Sequence, residues 1–205
     1  SLFDGKTTAG WRGYNMTAFP DKNWNIADSA LHCLGVGKGD MTNTDLITEK
    51  KYGNFELALE WKVSKGGNSG IFIMTQEIPG VEIYKSSPEM QVLDNQNHPD
   101  GKLGKDGNHQ AGSLYDMIPA KPQNAKPAGE WNQVRIMVYN GKVVFNQNGV
   151  NVVEFTLGSE EWKKMCENSK FKEWEWFVNT AKTGHIGLQD HGFEVWYRNI
   201  KIREL

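Results

Sequence analysis

The 205-residue chain carries 23 Lys and Arg against 25 Asp and Glu, a formal net charge of −2 with both signs interspersed. This balance provides no basic stripe for a nucleic-acid backbone, and no apolar run approaches the length that spans a bilayer. All-β sandwiches often reach this length undivided. We therefore expect one domain over residues 1–205, with neither a nucleic-acid partner nor a membrane-spanning segment.

The clearest strand pattern in the first half of the chain runs from Phe55 to Val63. Apolar and polar residues alternate strictly there, which is typical of an antiparallel strand with one buried face. A glycine-rich turn at 65–70 leads into a second apolar strand at 71–74. We expect these two strands to pair as a hairpin.

The next strand, at 87–95, is unusual because it carries ionisable groups on an otherwise apolar segment. Plain alternation would place Glu89 and Gln91 on one face and Asp94 on the other, but a bulge after Gln91 would bring all three together. The resulting E-x-Q-x-x-D pattern resembles the bulged catalytic strand E-x-D-x-x-E of laminarinase-type glucanases. The alternative is structural: Glu89 starts the strand beside Pro88, and Asp94 ends it as a turn residue.

A long polar loop follows at 98–112, carrying His98, Asp100, Asp106 and His109. Long loops in compact domains often carry function. The spacing of these residues matches no specific ligand motif, so we predict no metal site and no cofactor, although a divalent metal stays open. Strand character resumes at 113–116.

The second half of the chain predicts a meander followed by one helix. Asn140-Gly141 and Asn148-Gly149 are type I′ turn pairs that join three consecutive strands. Ser159 can cap a helix near 159–168, and the aromatic run at 171–177 is expected to cover it, with an exposed sugar-stacking patch as the alternative. The two cysteines, Cys33 and Cys166, form no metal pattern and are either free thiols or one disulfide.

Many short strands, tight turns and a single helix indicate an antiparallel β-sandwich. Several spaced motifs then resemble the 3-keto-disaccharide hydrolase family over nearly the whole chain, in order. They are Leu2-Phe3-Asp4-Gly5-Lys6, Asn68-Ser69-Gly70-Ile71-Phe72, Glu89-Met90-Gln91-Val92-Leu93-Asp94-Asn95, Gly112-Ser113-Leu114-Tyr115-Asp116, Gly129-Glu130-Trp131-Asn132, Gly187-Leu188-Gln189-Asp190-His191-Gly192 and Arg198-Asn199-Ile200.

The resemblance implies a concanavalin A-like jelly roll whose concave face holds a carbohydrate or glycoside. It also implies a bacterial protein that is exported, periplasmic or lipid-anchored at the cell surface. One position departs from the family: Met74 stands where members often carry a basic residue after the Gly-Ile-Phe strand. If that basic group steadies an oxyanion, this chain uses another group or acts on a different sugar.

The activity implied is cleavage of 3-keto-glucosides or 3-keto-disaccharides by proton abstraction at carbon 2, elimination of the aglycone and hydration. Such chemistry needs acid/base groups and donors at the carbon 3 oxygen. Glu89 is the first choice for acid/base work, because burial of a carboxyl without a charge partner would raise its pKa. The candidate catalytic residues are Glu89, His109 and Asp94, and the candidate substrate-binding residues are Asn68, Gln91, Tyr115, Gln189 and His191.

Two other functions stay open from the sequence. The same fold serves non-catalytic carbohydrate-binding modules, because a fold does not determine a function. A laminarinase-like endo-glucanase would use Glu89 and Asp94 as a carboxylate pair about 5 to 10 Å apart. Aglycone preference and oligomeric state do not follow from these patterns.

Overall fold

The structure is a computed structural model that describes residues 1–36 and 44–205. Twelve strands and two α-helices are present in the described residues. The strands are β1 (Trp11–Gly13), β2 (Trp24–Ala27), β3 (Ala30–Leu34), β4 (Leu46–Thr48), β5 (Phe55–Val63), β6 (Asn68–Thr75), β7 (Glu89–Leu93), β8 (Asn132–Tyr139), β9 (Lys142–Gln147), β10 (Val150–Thr156), β11 (His185–Leu188) and β12 (Glu194–Glu204). The helices are α1 (Glu160–Glu167) and α2 (Glu175–Val178), and two short 3₁₀ turns span Ile83–Lys85 and Pro99–Lys102.

The strands form two antiparallel sheets, which confirms the predicted sandwich. One sheet has five strands in the order β1-β4-β11-β6-β7, and the other has seven in the order β10-β9-β8-β5-β12-β3-β2. A single large apolar cluster packs between them and includes Leu57 and Ile136 from one sheet and Ile71 and Met90 from the other. No helix among the described residues is long and apolar enough to cross a bilayer.

The expected hairpin between the strands at 55–63 and 71–74 is wrong. The alternation in β5 is as predicted, with Phe55, Leu57, Leu59, Trp61 and Val63 buried. However, β5 pairs with β8 on one side and β12 on the other, so neither of its edges is free for β6. The turn between them therefore carries the chain across the sandwich into the other sheet, where β6 pairs with β7 and β11.

The predicted meander is confirmed by the ladders β8-β9 and β9-β10. Asn140 and Asn148 have φ values of 48° and 49°, and the glycines after them have φ values of 82° and 86°. Two successive positive φ angles are what a type I′ turn requires, and glycine supplies the second at no steric cost.

Helix α1 begins where the sequence predicts, because the Ser159 hydroxyl accepts the backbone N–H of Trp162 at 3.1 Å. Its buried face packs the Trp162 ring against Phe155 and Phe177 at centroid distances of 5.6 and 5.4 Å. The predicted aromatic cover is present, with the short, unpredicted helix α2 inside it. Cys166, on the same face, is buried and free, as is Cys33.

The outer face of the five-stranded sheet, turned away from the other sheet, is also covered. Every residue of β6 and β7 is buried, although Phe72, Glu89 and Gln91 lie outside the main core. Phe72 packs instead with Ile47 and Ile83 in a small second cluster. The segment at 113–116 is not a strand, since only Leu114 forms isolated bridges there. Loops fold over this outer face, and the cleft described below lies beneath them.

Candidate active site

Strand β7 places Glu89 and Gln91 on the outer face of the five-stranded sheet. It pairs with β6 in one continuous register, from Phe72 opposite Glu89 to Asn68 opposite Leu93. No register shift occurs, so the bulge after Gln91 that would bring Asp94 onto the same face is absent. Simple alternation sends Met90 and Val92 into the core and leaves Glu89 and Gln91 facing outward.

These two side chains lie in the floor of a cleft of about 880 Å³. This volume is within the range of pockets that bind small molecules. The five-stranded sheet contributes the floor, and the walls are formed by the loops around residues 14–15, 45, 80–87, 100, 115 and 189–191 together with the segment at 170–177. The polar and aromatic side chains that line it include Asp45, Asn68, Tyr84, Glu89, Gln91, Asp100, Tyr115, Lys170, Trp174, Gln189 and His191.

Glu89 is the most unusual group in the floor. Its side chain is only 8% exposed, and its carboxyl group makes no hydrogen bond or ion pair with any residue of the described ranges. Burial, reinforced by the charges of Asp45 and Asp100 and partly offset by Lys170, raises the pKa of Glu89 to about 8. A carboxyl group with such a pKa can take or give a proton near neutral pH.

Gly70 on β6 makes room for the Glu89 side chain. A Cβ atom at this position would overlap the carboxyl group of Glu89, so any larger residue would displace it. Gly70 lies directly opposite Gln91 in the β6–β7 ladder, two residues along β6 from Phe72, which lies opposite Glu89. The space left by the missing side chain of Gly70 is therefore next to both Glu89 and Gln91. The glycine therefore shapes the floor of the cleft.

Three buried amide oxygens share this floor. Asn68 Oδ1, Gln91 Oε1 and Gln189 Oε1 have no hydrogen-bond partner within the described part of the chain. A buried polar atom left unpaired costs about 1 to 3 kcal/mol, so such atoms are usually satisfied by a ligand or water. Their convergence in one cleft suits a ligand that offers several hydroxyl donors, and it brings together three of the predicted binding residues.

Tyr115 and His191 also line the cleft. Burial, with the nearby charges of Asp100 and Glu89 adding to it, raises the pKa of the Tyr115 hydroxyl well above its usual range. Tyr115 is thus a neutral hydroxyl donor at any working pH. His191 is exposed at the rim, where its ring lies against Phe193.

His109, a candidate catalytic residue from the sequence, does not line the cleft. It is buried, with Nδ1 2.8 Å from Asp100 Oδ1 and Nε2 2.7 Å from Asp116 Oδ1. Its ring also lies 4.5 Å from that of Tyr115. Both ring nitrogens are occupied, so His109 braces Asp100 and Tyr115 from behind rather than facing a ligand.

Gln91 is oriented by the same network. Its Nε2 donates to the backbone carbonyl of His109 at 3.1 Å and more weakly to Asp100 Oδ2 at 3.4 Å. These bonds hold the amide nitrogen toward the loop and leave Oε1 as the unpaired acceptor. The loop at 98–112 therefore orients the Gln91 side chain and contributes Asp100 to the lining of the cleft.

Asp94 lies outside the cleft, so its predicted catalytic role has no support from the geometry of this site. Its carboxylate accepts the backbone N–H of Gly66 and the side-chain amide of Asn97, both at 2.8 Å, and the N–H of Gln96 at 3.2 Å. Without a bulge, alternation turns Asp94 away from Glu89. It stabilises two turns, as the structural alternative for this residue predicted.

Several cleft residues were not found from the sequence. Asp45 is held by the backbone N–H of Asp190 at 2.8 Å, and burial, with a contribution from the charge of Asp190, raises its pKa to about 7. No motif marks this residue, which lies just before β4. Tyr84 and Trp174 form an aromatic pair with centroids 5.5 Å apart, and for Trp174 the aromatic run at 171–177 was a usable signal.

Met74 also has a definite place. Its side chain is buried in the main core, its φ is 56°, and it does not line the cleft. This position therefore does not present a side chain to a ligand in this chain.

Comparison with known proteins identifies the family. A family model described as a 3-keto-alpha-glucoside-1,2-lyase-like domain matches residues 1–203. The chain belongs to this family. The motifs that border the cleft, from Asn68, Glu89, Gly112 and Gly187 onward, are among those on which the resemblance was based, so the resemblance is confirmed at family level.

Relatives agree with this 3-keto-alpha-glucoside-1,2-lyase-like assignment. A 3-keto-disaccharide hydrolase of Bacteroides thetaiotaomicron is 50% identical over 226 aligned positions, which cover all of this chain and 78% of that protein. A crystal structure from Parabacteroides distasonis, described as a candidate glycosyl hydrolase, has a TM-score of 0.88 at 31% identity and covers all of this chain and 92% of its own. A second from the same organism, described in the same way, has a TM-score of 0.74 at 25% identity, with coverages of 95% and 99%.

Proposed function

We propose that this chain cleaves 3-keto-glucosides or 3-keto-disaccharides, with Glu89 as the group that transfers protons. The observation that carries the proposal is the Glu89 carboxyl group, buried in the cleft floor without a partner in the described residues and with its pKa raised to about 8. Family membership and a relative of that activity at 50% identity support the substrate class.

The reaction can be written so that it uses a proton-transfer group rather than a nucleophile. The ketone at carbon 3 acidifies the hydrogen on carbon 2, and a base removes it as a proton while the electron pair moves onto the carbon 3 oxygen. When that pair returns, the bond from carbon 1 to the aglycone oxygen breaks and the aglycone leaves with a proton. Water then adds to the enone, with hydroxyl at carbon 1 and a proton at carbon 2.

In this proposal the floor of the cleft holds the sugar while Glu89 moves the proton. The unpaired oxygens of Asn68, Gln91 and Gln189 accept hydroxyl hydrogens of the ring. Asp45, whose pKa is about 7, is the second group in the cleft suited to proton transfer. The Tyr84 and Trp174 rings offer apolar faces for the sugar or its aglycone.

The substrate preference is the direct test. The purified chain should release aglycone from a 3-keto-glucoside at least about 10²-fold faster than from the parent glucoside, because only the ketone acidifies carbon 2. Released aglycone can be followed by absorbance with a nitrophenyl leaving group. Equal rates on both sugars would contradict the elimination route, and binding without turnover of either would indicate a carbohydrate-binding module.

The glucanase alternative with Glu89 and Asp94 has no support in the cleft, since Asp94 lies outside it. Asp94→Ala should lower the free energy of unfolding by about 1 to 3 kcal/mol, because buried turn amides lose their acceptor. Turnover per folded molecule should stay within about twofold of wild type. Chemical denaturation and a steady-state assay would measure both, and a loss of turnover in a fully folded variant would return Asp94 to the catalytic set.

A further inference from the structure

Lys170 is the one lysine or arginine among the described side chains that line the cleft. It follows α1, and its backbone N–H donates to Asp116 Oδ2 at 3.2 Å, which anchors the main chain at the wall. Its Nζ lies 4.1 Å from the centroid of the Tyr115 ring. A cation over an aromatic face is held without losing its charge or its hydrogen-bond donors.

The Lys170 ammonium forms no ion pair with an acid of the described ranges, although two acids lie close by. Asp116 gives Oδ1 to His109 and Oδ2 to the Lys170 backbone. Asp100 gives Oδ1 to His109 and Oδ2 to Gln91. The donors of the ammonium are therefore available to a ligand in the cleft.

The charge of Lys170 reaches the floor of the cleft. It acts on the pKa of Glu89 in the opposite sense to burial, which means that its field favours negative charge where Glu89 lies. The other charged side chains that face this volume, Asp45, Glu82, Asp100 and Asp190, are acidic, and His191 stands exposed at the rim. Negative charge that develops on a ligand would be opposed by these acids and favoured by Lys170.

We propose that Lys170 Nζ binds the carbon 3 oxygen of the 3-oxo sugar and stabilises the enolate formed when the carbon 2 proton leaves. This inference rests on the proposed function. The electron pair of the broken C2–H bond places negative charge on that oxygen, and it returns to expel the aglycone from carbon 1. The buried amide oxygens accept hydrogen bonds and the Glu89 carboxyl group transfers the proton, so none of these groups supplies the positive charge that the enolate oxygen needs.

The test compares Lys170→Met, Lys170→Arg and a control, Lys164→Met. Lys164 is an exposed lysine on α1 that lines a neighbouring hollow but not the cleft. Lys170→Met should lower kcat for a 3-keto-glucoside by about 10²-fold, and arginine should recover part of it. The kcat of Lys164→Met for the same substrate should equal that of the wild type.

Two further readouts separate this role from a structural one. The Kd of the parent glucoside, measured by calorimetry, should change by less than about threefold, because that sugar has no developing charge at carbon 3. The pH–rate limb assigned to Glu89 should move to higher pH in Lys170→Met, since a charge that lowers the Glu89 pKa is gone. Melting temperatures should be unchanged.

The outcomes distinguish this inference from the function on which it rests. An active wild type with Lys170→Met near wild-type kcat overturns the role of Lys170 alone. A kcat loss accompanied by an equal loss of parent-glucoside affinity also overturns it, because the lysine then only binds the ring. A wild type inactive on 3-keto-glucosides overturns the proposed function and this role together.

Discussion

Replacing Glu89 with glutamine is expected to lower turnover of a 3-keto-glucoside by about 10²-fold or more, equivalent to about 2.7 kcal/mol of barrier. Glutamine keeps the size and hydrogen-bonding reach of the side chain but has no ionisable proton. Binding should survive, because the amide oxygens of Asn68, Gln91 and Gln189 stay in place. Steady-state kinetics and the melting temperature of both proteins would measure this.

The pH dependence gives the role of Glu89 a second test. With a pKa of about 8, Glu89 is mostly protonated at pH 7 and mostly ionised at pH 9. If it acts as the base, the rate should rise through pH 8, and if it acts as the acid, the rate should fall there. In either case the change in rate near pH 8 should be missing from the pH–rate profile of Glu89→Gln. It should be present in the profile of a surface control, Glu130→Gln.

A different result would relocate the proton transfer. If Glu89→Gln keeps near-normal turnover while Asp45→Asn abolishes it, Asp45 is the acid/base group of the cleft. If only His109→Asn abolishes turnover, the brace behind Asp100 and Tyr115 matters more than the floor. Each variant needs its melting temperature, because His109 is buried.

Gly70→Ala is expected to cause the second large loss, through Glu89 rather than through the backbone. The added Cβ would overlap the Glu89 carboxyl group and push it aside. Turnover should fall by about 10-fold to 10²-fold, because a displaced carboxyl group is no longer positioned to transfer a proton to or from the substrate. Overpacking should also cost about 1 to 3 kcal/mol of unfolding free energy.

A double-mutant cycle isolates this contact. In a Glu89→Ala background the space opposite Gly70 is open, so adding Gly70→Ala should cost little stability. The coupling energy, measured by urea unfolding of the four proteins, should then be about 1 kcal/mol or more. Additive effects on stability, or full turnover in Gly70→Ala, would show that the Glu89 side chain does not pack against Gly70 in solution.

Local patterns were sufficient for most of the architecture and for part of the cleft. A period of two in Phe55–Val63 identified a half-buried strand, and Asn-Gly pairs identified the turns of the meander, because both signals depend on neighbouring residues only. The same alternation places Glu89 and Gln91 on one face without a bulge. Only a bulge would bring Asp94 to that face, and the strand has none, so the Asp94 side chain is satisfied by its own turns.

Pairing and proximity were decided by the tertiary structure. The partner of β6 depended on whether β5 had a free edge, and β12, from the other end of the chain, occupies it. Asp45 and Lys170, from distant parts of the sequence, act on the pKa of Glu89. His109 is buried between two aspartates because of the way its polar loop folds over the sheet. Residue types and spacing show which side chains can ionise. Burial and the charges of residues distant in sequence determine the pKa at which each of them does so.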